Sequence, residues 1–300
     1  MTYLSRCCIA TATLLLPVIA LAQSEKPDDS ENLKLTALEA LIAAPPERAM
    51  PLVSKVLAGD HSTEVKKRAL FILSQIDTSE AQSTLLAIAR EDGSELQAEA
   101  IRMIGIGGDR DALQGLAEIH ESGGPEAREA VLEAYMIAGD SAAVFEIAAS
   151  ADNEEGFSDA VDMLGAMGAR EELRQLRGRT GLSAPLIDAY AISGDYETLR
   201  EIALDGSDVD LQSQAIEALG IVGGDQVDVT LMEIYRGTDS EKVKESALQG
   251  MLISGYDRGV LELYQSATDA NEKRELLEHL VMMDSDAVWD VIDSALAGEP

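Results

Sequence analysis

The sequence contains little cysteine, and all of it lies at one end. Cys7 and Cys8 are the two cysteines of the 300-residue chain. Both lie in the N-terminal segment, before its apolar part, and this segment is predicted below to be removed. A lipid-anchored cysteine would instead stand directly after such a segment. The processed chain would then contain no thiol, which excludes a disulfide framework and a cysteine nucleophile.

Aromatic residues are also scarce. Phe, Trp and Tyr make up 4% of the residues, whereas apolar residues reach 46%. The apolar content therefore consists mostly of Ala, Leu, Ile, Val and Met, which are the side chains that suit closely packed helices. This composition predicts an all-helical protein.

Basic residues are few beside the acidic ones. The chain has 23 Lys and Arg against 55 Asp and Glu, and its formal net charge is −32. Such a field repels phosphate backbones and anionic lipid surfaces, so nucleic acid and bare membrane are not expected as partners. Basic protein surfaces, cations or cationic polymers are favoured instead. The alternative that the acidity only keeps the protein in solution stays open.

The N-terminus has the pattern of a signal peptide. Arg6 precedes an apolar run over residues 9–21, and Ala20-Leu21-Ala22 before Gln23 is a small, apolar, small cleavage pattern. Pro17 and the shortness of the run argue against a membrane span. We therefore expect a signal peptide over residues 1–22, cleavage between Ala22 and Gln23, and a periplasmic or secreted protein without membrane insertion after processing. Residues 23–32 (QSEKPDDSEN) are expected to form a flexible acidic linker.

Short segments that end in Gly-Asp recur along the rest of the chain. They read IRMIGIGGD at 101–109, VLEAYMIAGD at 131–140, IDAYAISGD at 187–195 and IEALGIVGGD at 216–225. With degenerate copies between them, neighbouring copies are roughly 30 residues apart, which is the period of a stacked helix-pair solenoid.

The Gly-Asp pairs mark helix boundaries. Apolar residues at helical spacing precede each pair and predict a first helix, here called helix A. Glycine supplies a left-handed residue that ends helix A, and aspartate accepts hydrogen bonds from the first amides of a second helix, helix B. The predicted structural turn residues are Gly108, Asp109, Gly139, Asp140, Gly194, Asp195, Gly224 and Asp225.

These units resemble HEAT-like repeats of the bacterial type. Their helix A opens with Val-Lys at Val65-Lys66 and Val243-Lys244, and it closes in a Leu-Gly turn at residues 219–225. The resemblance implies an all-α, right-handed α-solenoid of about eight or nine helix pairs over residues 33–300. Tetratricopeptide repeats fit poorly, because Trp289 is the only tryptophan. The opening basic residue is missing near Gln97 and Asp159, so no regular ladder of charged side chains is expected.

No catalytic, cofactor or metal site is predicted. His61, His120 and His279 are isolated in the sequence, with no pair spaced to hold zinc. The glycines at 105–108 are better explained by the end of a helix than by phosphate binding. The acidic stretch 205–210 lacks the glycine and glutamate that an EF-hand loop needs, which leaves at most weak cation association.

A non-catalytic, protein-binding scaffold in the bacterial cell envelope is therefore the leading functional hypothesis. Exposed acids on B helices are the predicted partner contacts, namely Glu118, Glu146, Glu201 and Glu233. The repeat resemblance also implies an alternative, a lyase or chaperone that acts on a tetrapyrrole-bearing or other client protein. A structural subunit is a third hypothesis. Tyr135 and Tyr190 recur at matching places and are predicted to pack between repeats.

Overall fold

The computed structural model describes residues 29–283 and 286–297. The predicted signal peptide, its cleavage site at Ala22 and Gln23, and both cysteines lie outside these residues and stay predictions. The first helix begins at Asp29, so residues 29–32 of the predicted linker are helical. These four residues therefore belong to a helix and not to a flexible linker.

The helices alternate between two rows, in agreement with the predicted A and B helices. Each A helix contacts the next A helix along the chain. The B helices between the first and the last of those described each contact both their own A helix and the one that follows. The A row consists of α1 Asp29–Glu39, α3 Thr63–Ser74, α5 Gln97–Gly107, α8 Pro125–Ala138, α10 Glu154–Ala166, α12 Ala184–Ile192, α14 Val209–Val222, α16 Glu241–Ser254 and α18 Ala270–Met282. The B row consists of α2 Pro46–Ala58, α4 Ser79–Ala89, α6 Arg110–Gln114 with α7 Leu116–Ser122, α9 Ser141–Ser150, α11 Arg170–Thr180, α13 Tyr196–Leu204, α15 Asp225–Gly237, α17 Asp257–Ser266 and α19 Asp286–Ala297.

Over the described residues these helices make nine pairs, with α6 and α7 counted as one broken B helix. No strand occurs in the same ranges. The predicted all-α solenoid is confirmed. None of the described helices is both long enough and apolar enough to cross a bilayer.

Three of the four Gly-Asp pairs cap helices at both sides of the turn. Gly108 and Gly139 end their A helices in the left-handed region, with φ of 66° and 72°. The Asp109 and Asp140 carboxylates accept hydrogen bonds from the backbone N–H of the residue three positions later, at 2.9 and 3.1 Å. Gly194 has φ of 68°, and Asp195 caps α13 in the same way. These turns therefore join helix A to helix B with almost no loop.

The fourth pair is built differently. Gly223 ends α14 with φ of 66°, and Gly224, with φ of 97°, occupies the N-cap of α15, where it has no side chain to accept a hydrogen bond. Asp225 is then the first residue of α15. The extra glycine shifts the register by one residue, so the roles predicted for Gly224 and Asp225 are wrong at this turn. The Asp225 carboxylate still stands in the first helical turn, where the helix dipole favours a negative charge.

Small residues let some neighbouring A helices approach closely. A Cβ atom on Gly105 would lie 2.5 Å from the carbonyl oxygen of Ala134, and one on Gly220 would lie 2.4 Å from that of Gly250. Gly165 faces Ala189 at the corresponding place between α10 and α12. Each of these glycines lies three residues before the glycine with positive φ that follows its helix.

The A row opens between α8 and α10. Met136 occupies in α8 the position that glycine holds in α5, α10 and α14. Its side chain does not permit the same approach, and α8 packs less closely on α10 than α5 does on α8. The size of one residue in each unit thus sets the spacing of neighbouring A helices, because backbones can touch only where no Cβ intervenes.

Tyr135 and Tyr190 pack between repeats, as predicted. They are 2% and 0% exposed, and each hydroxyl donates a 3.1 Å hydrogen bond to a carbonyl of the preceding B helix, at Leu113 and Leu173. Burial raises the pKa of both tyrosines to about 12. Both phenols are therefore neutral donors that tie one unit to the one before it.

Candidate protein-binding surfaces

The four glutamates predicted as partner contacts lie exposed on B helices, but each has an arginine close by. Their carboxylate oxygens lie 2.9 to 4.0 Å from guanidinium nitrogens of a neighbouring unit. The pairs are Arg90–Glu118 at 2.9 Å, Arg179–Glu146 at 3.9 Å, Arg177–Glu201 at 3.2 Å and Arg200–Glu233 at 4.0 Å. Their contact with a partner stays a prediction.

Together with Arg236–Glu262 at 2.7 Å, these pairs form a charged ladder that links successive B helices. The ladder not expected from the sequence was one formed by the residues that open the A helices, and these B-helix pairs do not test that prediction. Exposed pairs of this kind contribute about 0–1 kcal/mol each to stability. Their larger effect is on the surface, because the arginines offset the acidity of the B-helix face.

A deeper ion pair lies at the junction of α12 and α13. Asp195 is 1% exposed and takes hydrogen bonds from Arg174 at 2.7 and 3.0 Å and from the Thr198 hydroxyl at 2.8 Å. Burial opposes its ionisation and is the largest single influence, but the hydrogen bonds from Arg174 and Thr198 together outweigh burial and lower the pKa of Asp195. Asp195 is therefore a structural carboxylate and is not available to a ligand.

The centre of the A-helix face has the opposite character. Ion pairs join A helices nearer its ends, at Arg68–Glu39, Arg102–Glu133 and Lys242–Asp210, but most acids at its centre have no such partner among the described residues. Helices α10, α12 and α14 contain no Lys or Arg. Four successive A helices carry an acidic residue six positions before the glycine with positive φ that follows the helix. These residues, called here the acidic row, are Glu133, Asp162, Asp188 and Glu217.

Among the described residues, only the Glu133 end of the acidic row has a cation within ion-pair distance. Arg102 Nε lies 2.5 Å from Glu133. Asp188 and Glu217 accept hydrogen bonds from the neutral groups of Gln214 at 2.9 Å and Ser246 at 3.2 Å. Burial, and then the negative charges of Asp188 and Asp159, raise the pKa of Asp162. The centre of the A-helix face is therefore a site of crowded negative charge.

Exposed isoleucines follow the acidic row one helical turn later. They stand two residues before the glycine that follows each A helix, and they are 41 to 63% exposed. This aliphatic row consists of Ile106, Ile137, Ile192, Ile221 and Ile253. Residues four positions apart share one face of a helix, about 6 Å apart along its axis, so the two rows run side by side. In α10 the equivalent position is the small residue Ala166.

A groove of about 590 Å³ interrupts the A-helix face where α8 and α10 separate. Its apolar lining includes Leu132, Met136 and Met163. Acids from both helices also line it, namely Glu129, Glu155, Asp159 and Asp162.

Two basic side chains, Arg128 and His120, stand beside these acids. Arg128 also lines the groove, but its Nε donates a 3.1 Å hydrogen bond to the carbonyl of Gly123. Burial, and then the charge of Arg128, lower the pKa of His120, so this imidazole is neutral near pH 7. Four carboxylates therefore face one guanidinium across an apolar lining.

The three histidines and the acidic stretch 205–210 lie in different parts of the described chain. His61, His120 and His279 lie on separate helix pairs or loops. Within residues 29–283 and 286–297, no three His, Cys, Asp or Glu side chains are grouped so that they could hold a metal ion. The acids of residues 205–210 mostly bond their own loop, as in the Ser207 hydrogen bonds to Asp205.

Residues 17–105 match the family model for HEAT repeats, which confirms the resemblance over that part of the chain. No curated protein matches the chain.

Among solved structures, the chain is similar to the complex of CpcE and CpcF of phycocyanin lyase from Nostoc sp. PCC7120. The identity is 16% and the TM-score 0.34, over 91% of this chain and 100% of that one. An engineered protein is similar at 16% identity and a TM-score of 0.32, over 90% of each chain. Likenesses at this level concern the fold alone and carry no argument about activity.

Proposed function

We propose that the chain is a non-catalytic scaffold that binds a protein partner with a basic surface, and that the A-helix face is where it binds. The aliphatic row carries this proposal. Five isoleucines at one repeat position are all more than 40% exposed. A single exposed isoleucine needs no explanation, but isoleucine at the same exposed repeat position of five helices is typical of an interaction surface.

Charge supports a basic partner and favours the A-helix face over the B-helix face. The acidic row runs beside the aliphatic row, and three of its four members have no Lys or Arg within ion-pair distance among the described residues. On the B-helix face each predicted contact glutamate has an arginine close by. A cationic partner gains more where the acids are not already balanced, because it need not displace an arginine.

The compartment is part of the proposal. The N-terminal residues have the charged, apolar and small-residue pattern of a signal peptide, which supports export to the cell envelope. A mass measurement of the protein recovered from the envelope fraction tests this. The expected chain begins at Gln23, and a chain that retains residues 1–22 contradicts it.

Pull-down from an envelope extract tests the binding function. Replacing Ile106, Ile192 and Ile221 with serine leaves the buried core untouched, since all three are exposed. The processed wild-type protein should capture a partner at low salt and less of it at moderate salt, because screening weakens the charge contribution. The isoleucine variant should capture at least about tenfold less, which corresponds to about 1.4 kcal/mol of binding free energy.

A matched control replaces Glu118, Glu201 and Glu233 with glutamine on the B-helix face. This variant should capture the partner as the wild type does. Equal capture by the isoleucine variant would place the binding surface elsewhere. If the wild-type protein captures no salt-sensitive partner at all, the scaffold function is wrong.

A further inference from the structure

The groove between α8 and α10 differs from the rest of the A-helix face in both shape and chemistry. Glycine in α5, α10 and α14, and alanine in α12, lets the next A helix approach closely, whereas Met136 in α8 keeps α10 apart. The resulting space of about 590 Å³ has Leu132, Met136 and Met163 along it and four carboxylates around it. It is large enough for a long side chain, and it lies in line with the aliphatic row.

We propose that this groove receives a lysine or arginine side chain from a segment of the partner in polyproline II conformation, with an aliphatic side chain three residues to either side. The inference rests on the proposed function and names the site and the recognition pattern within it. The aliphatic stem of the basic residue lies against Met136 and Met163. Its charged head lies among Glu129, Asp159 and Asp162.

The chemistry of the groove selects a long cationic side chain. Lysine and arginine combine an apolar stem with a charged end, which matches an apolar lining bordered by carboxylates. An acidic side chain would add to the repulsion already present among these acids. The raised pKa of Asp162 supports this, because it reflects negative neighbours that a bound cation would offset. Arg128 supplies one positive charge beside the groove, but four carboxylates line it, so an excess of negative charge remains for a bound cation to offset.

The spacing of the A helices sets the pattern of the partner segment. Neighbouring packed helices lie about 10 Å apart. A segment in polyproline II conformation has three residues per turn and advances about 3.1 Å per residue, so side chains three residues apart share one face and lie about 9 Å apart. Ile137 of α8 and Ile192 of α12 are two helices apart, with α10 between them carrying only Ala166 at the equivalent position. The complementary segment is therefore aliphatic, two spacers, basic, two spacers, aliphatic.

Two synthetic peptide pools test the inference directly. Both contain 12-residue peptides with isoleucine three residues before and after a central position, and spacers drawn from Ser, Thr, Asn and Gly. The centre is Lys or Arg in one pool and Glu in the other. Fluorescence anisotropy should show binding of the basic pool at least about tenfold tighter than that of the acidic pool. Equal binding of the two pools, or no binding of the basic pool, overturns the inference.

Charge removal in the groove supplies the matched variant. Asp159→Asn with Asp162→Asn changes no side-chain shape and should weaken binding of the basic pool about tenfold. The control, Glu245→Gln with Glu278→Gln, removes the same charge from exposed positions on α16 and α18 and should leave binding unchanged. Equal weakening by both variants would show that only net charge matters, and it would overturn a groove-specific site.

A photo-crosslinking group next to the central lysine locates the bound peptide. Labelled residues should fall on α8 and α10, and labelling confined to other helices contradicts the inference. This outcome is distinguishable from failure of the proposed function. If the basic and acidic pools bind equally but the isoleucine variant still loses the envelope partner, the scaffold function is supported and the groove proposal is wrong.

Discussion

At the residue scale, Asp195 shows how one side chain can cap a helix and join two units. It accepts the Thr198 backbone N–H at the start of α13 and receives two hydrogen bonds from Arg174 on the preceding B helix. Nearly all of the carboxylate is buried, whereas Arg174 remains 45% exposed. The pair therefore lies between a surface ion pair and a buried one in its contribution to stability.

Asp195→Asn should destabilise the protein by about 1–3 kcal/mol at pH 7, because a neutral amide replaces the charged partner of Arg174. The pKa of Asp195 is lowered in the folded state, so its contribution is present above the ordinary carboxyl pKa of about 3.9 and is lost as the pH falls through the lowered value. Urea midpoints of wild type and variant should therefore differ at pH 7, and the difference should shrink progressively as the pH falls below about 3.9.

Asp140→Asn provides the control for capping alone. Asp140 accepts the N–H of Ala143 at the start of α9, and asparagine caps a helix about as well as aspartate. Its cost should stay below about 0.5 kcal/mol. A cost equal to that of Asp195→Asn would show that Arg174 adds nothing to the junction.

At the scale of the helices, glycines on the A row set how closely the units approach. Alanine at Gly105 or Gly220 favours the helix by about 1 kcal/mol. The new methyl group, however, would lie 2.5 or 2.4 Å from a backbone oxygen of the next A helix. Backbone atoms cannot move aside as a flexible side chain can, so overpacking outweighs the gain. We expect a net cost of about 1–3 kcal/mol for each substitution.

Gly178→Ala is the matched control, since Gly178 lies in α11 and no atom would come within 4 Å of its new Cβ. This substitution should stabilise the protein by up to about 1 kcal/mol. Thermal unfolding followed by circular dichroism measures all three variants. A higher melting temperature for Gly220→Ala than for wild type would contradict the proposed role of glycine in A-helix spacing.

The contact surface shows where sequence reasoning succeeded and where it failed on these helices. The isoleucine two residues before each glycine is visible in the repeated segments, yet exposure cannot be deduced from a pattern that also predicts a buried helical face. The exposed glutamates of the B helices were identified correctly as surface residues, but their arginines lie about one repeat away in sequence. Pairs at that distance depend on how neighbouring units stack.

At the scale of the whole molecule, negative charge opposes compact folding. Acidic residues exceed basic ones by 32, and the central A helices concentrate part of this excess. Salt weakens the exposed ion pairs of the B-helix face, but the unbalanced repulsion involves many more charges. Screening should therefore stabilise the folded chain overall.

Adding NaCl from low ionic strength to about 0.2 M should raise the urea midpoint by about 0.5 M, or about 1 kcal/mol at a slope of about 2 kcal/mol per M. NaClO4 at the same ionic strength screens charge to the same extent but affects apolar surface differently. An equal rise in the urea midpoint with NaClO4 would therefore identify screening as the cause. A midpoint that falls with NaCl would show that the ion-pair ladder outweighs the repulsion.

The amino-acid sequence by itself determined the helices, their boundaries and their repetition. Apolar spacing, a glycine with positive φ and a capping aspartate act within a few residues, so local chemistry suffices at Gly108 and Asp109 or at Gly139 and Asp140. The predicted roles were wrong at the turn with the extra glycine, Gly223, because a shift of one residue changes which group caps the helix.

Only the tertiary structure decided which acids are balanced and where the A row opens. Arg177 reaches Glu201, and Met136 holds α8 away from α10, because helices from different units are brought side by side. Such contacts join residues far apart in sequence, and their geometry depends on the summed packing of every intervening helix. The acidic, apolar groove therefore belongs to the stack of repeats and to no single repeat.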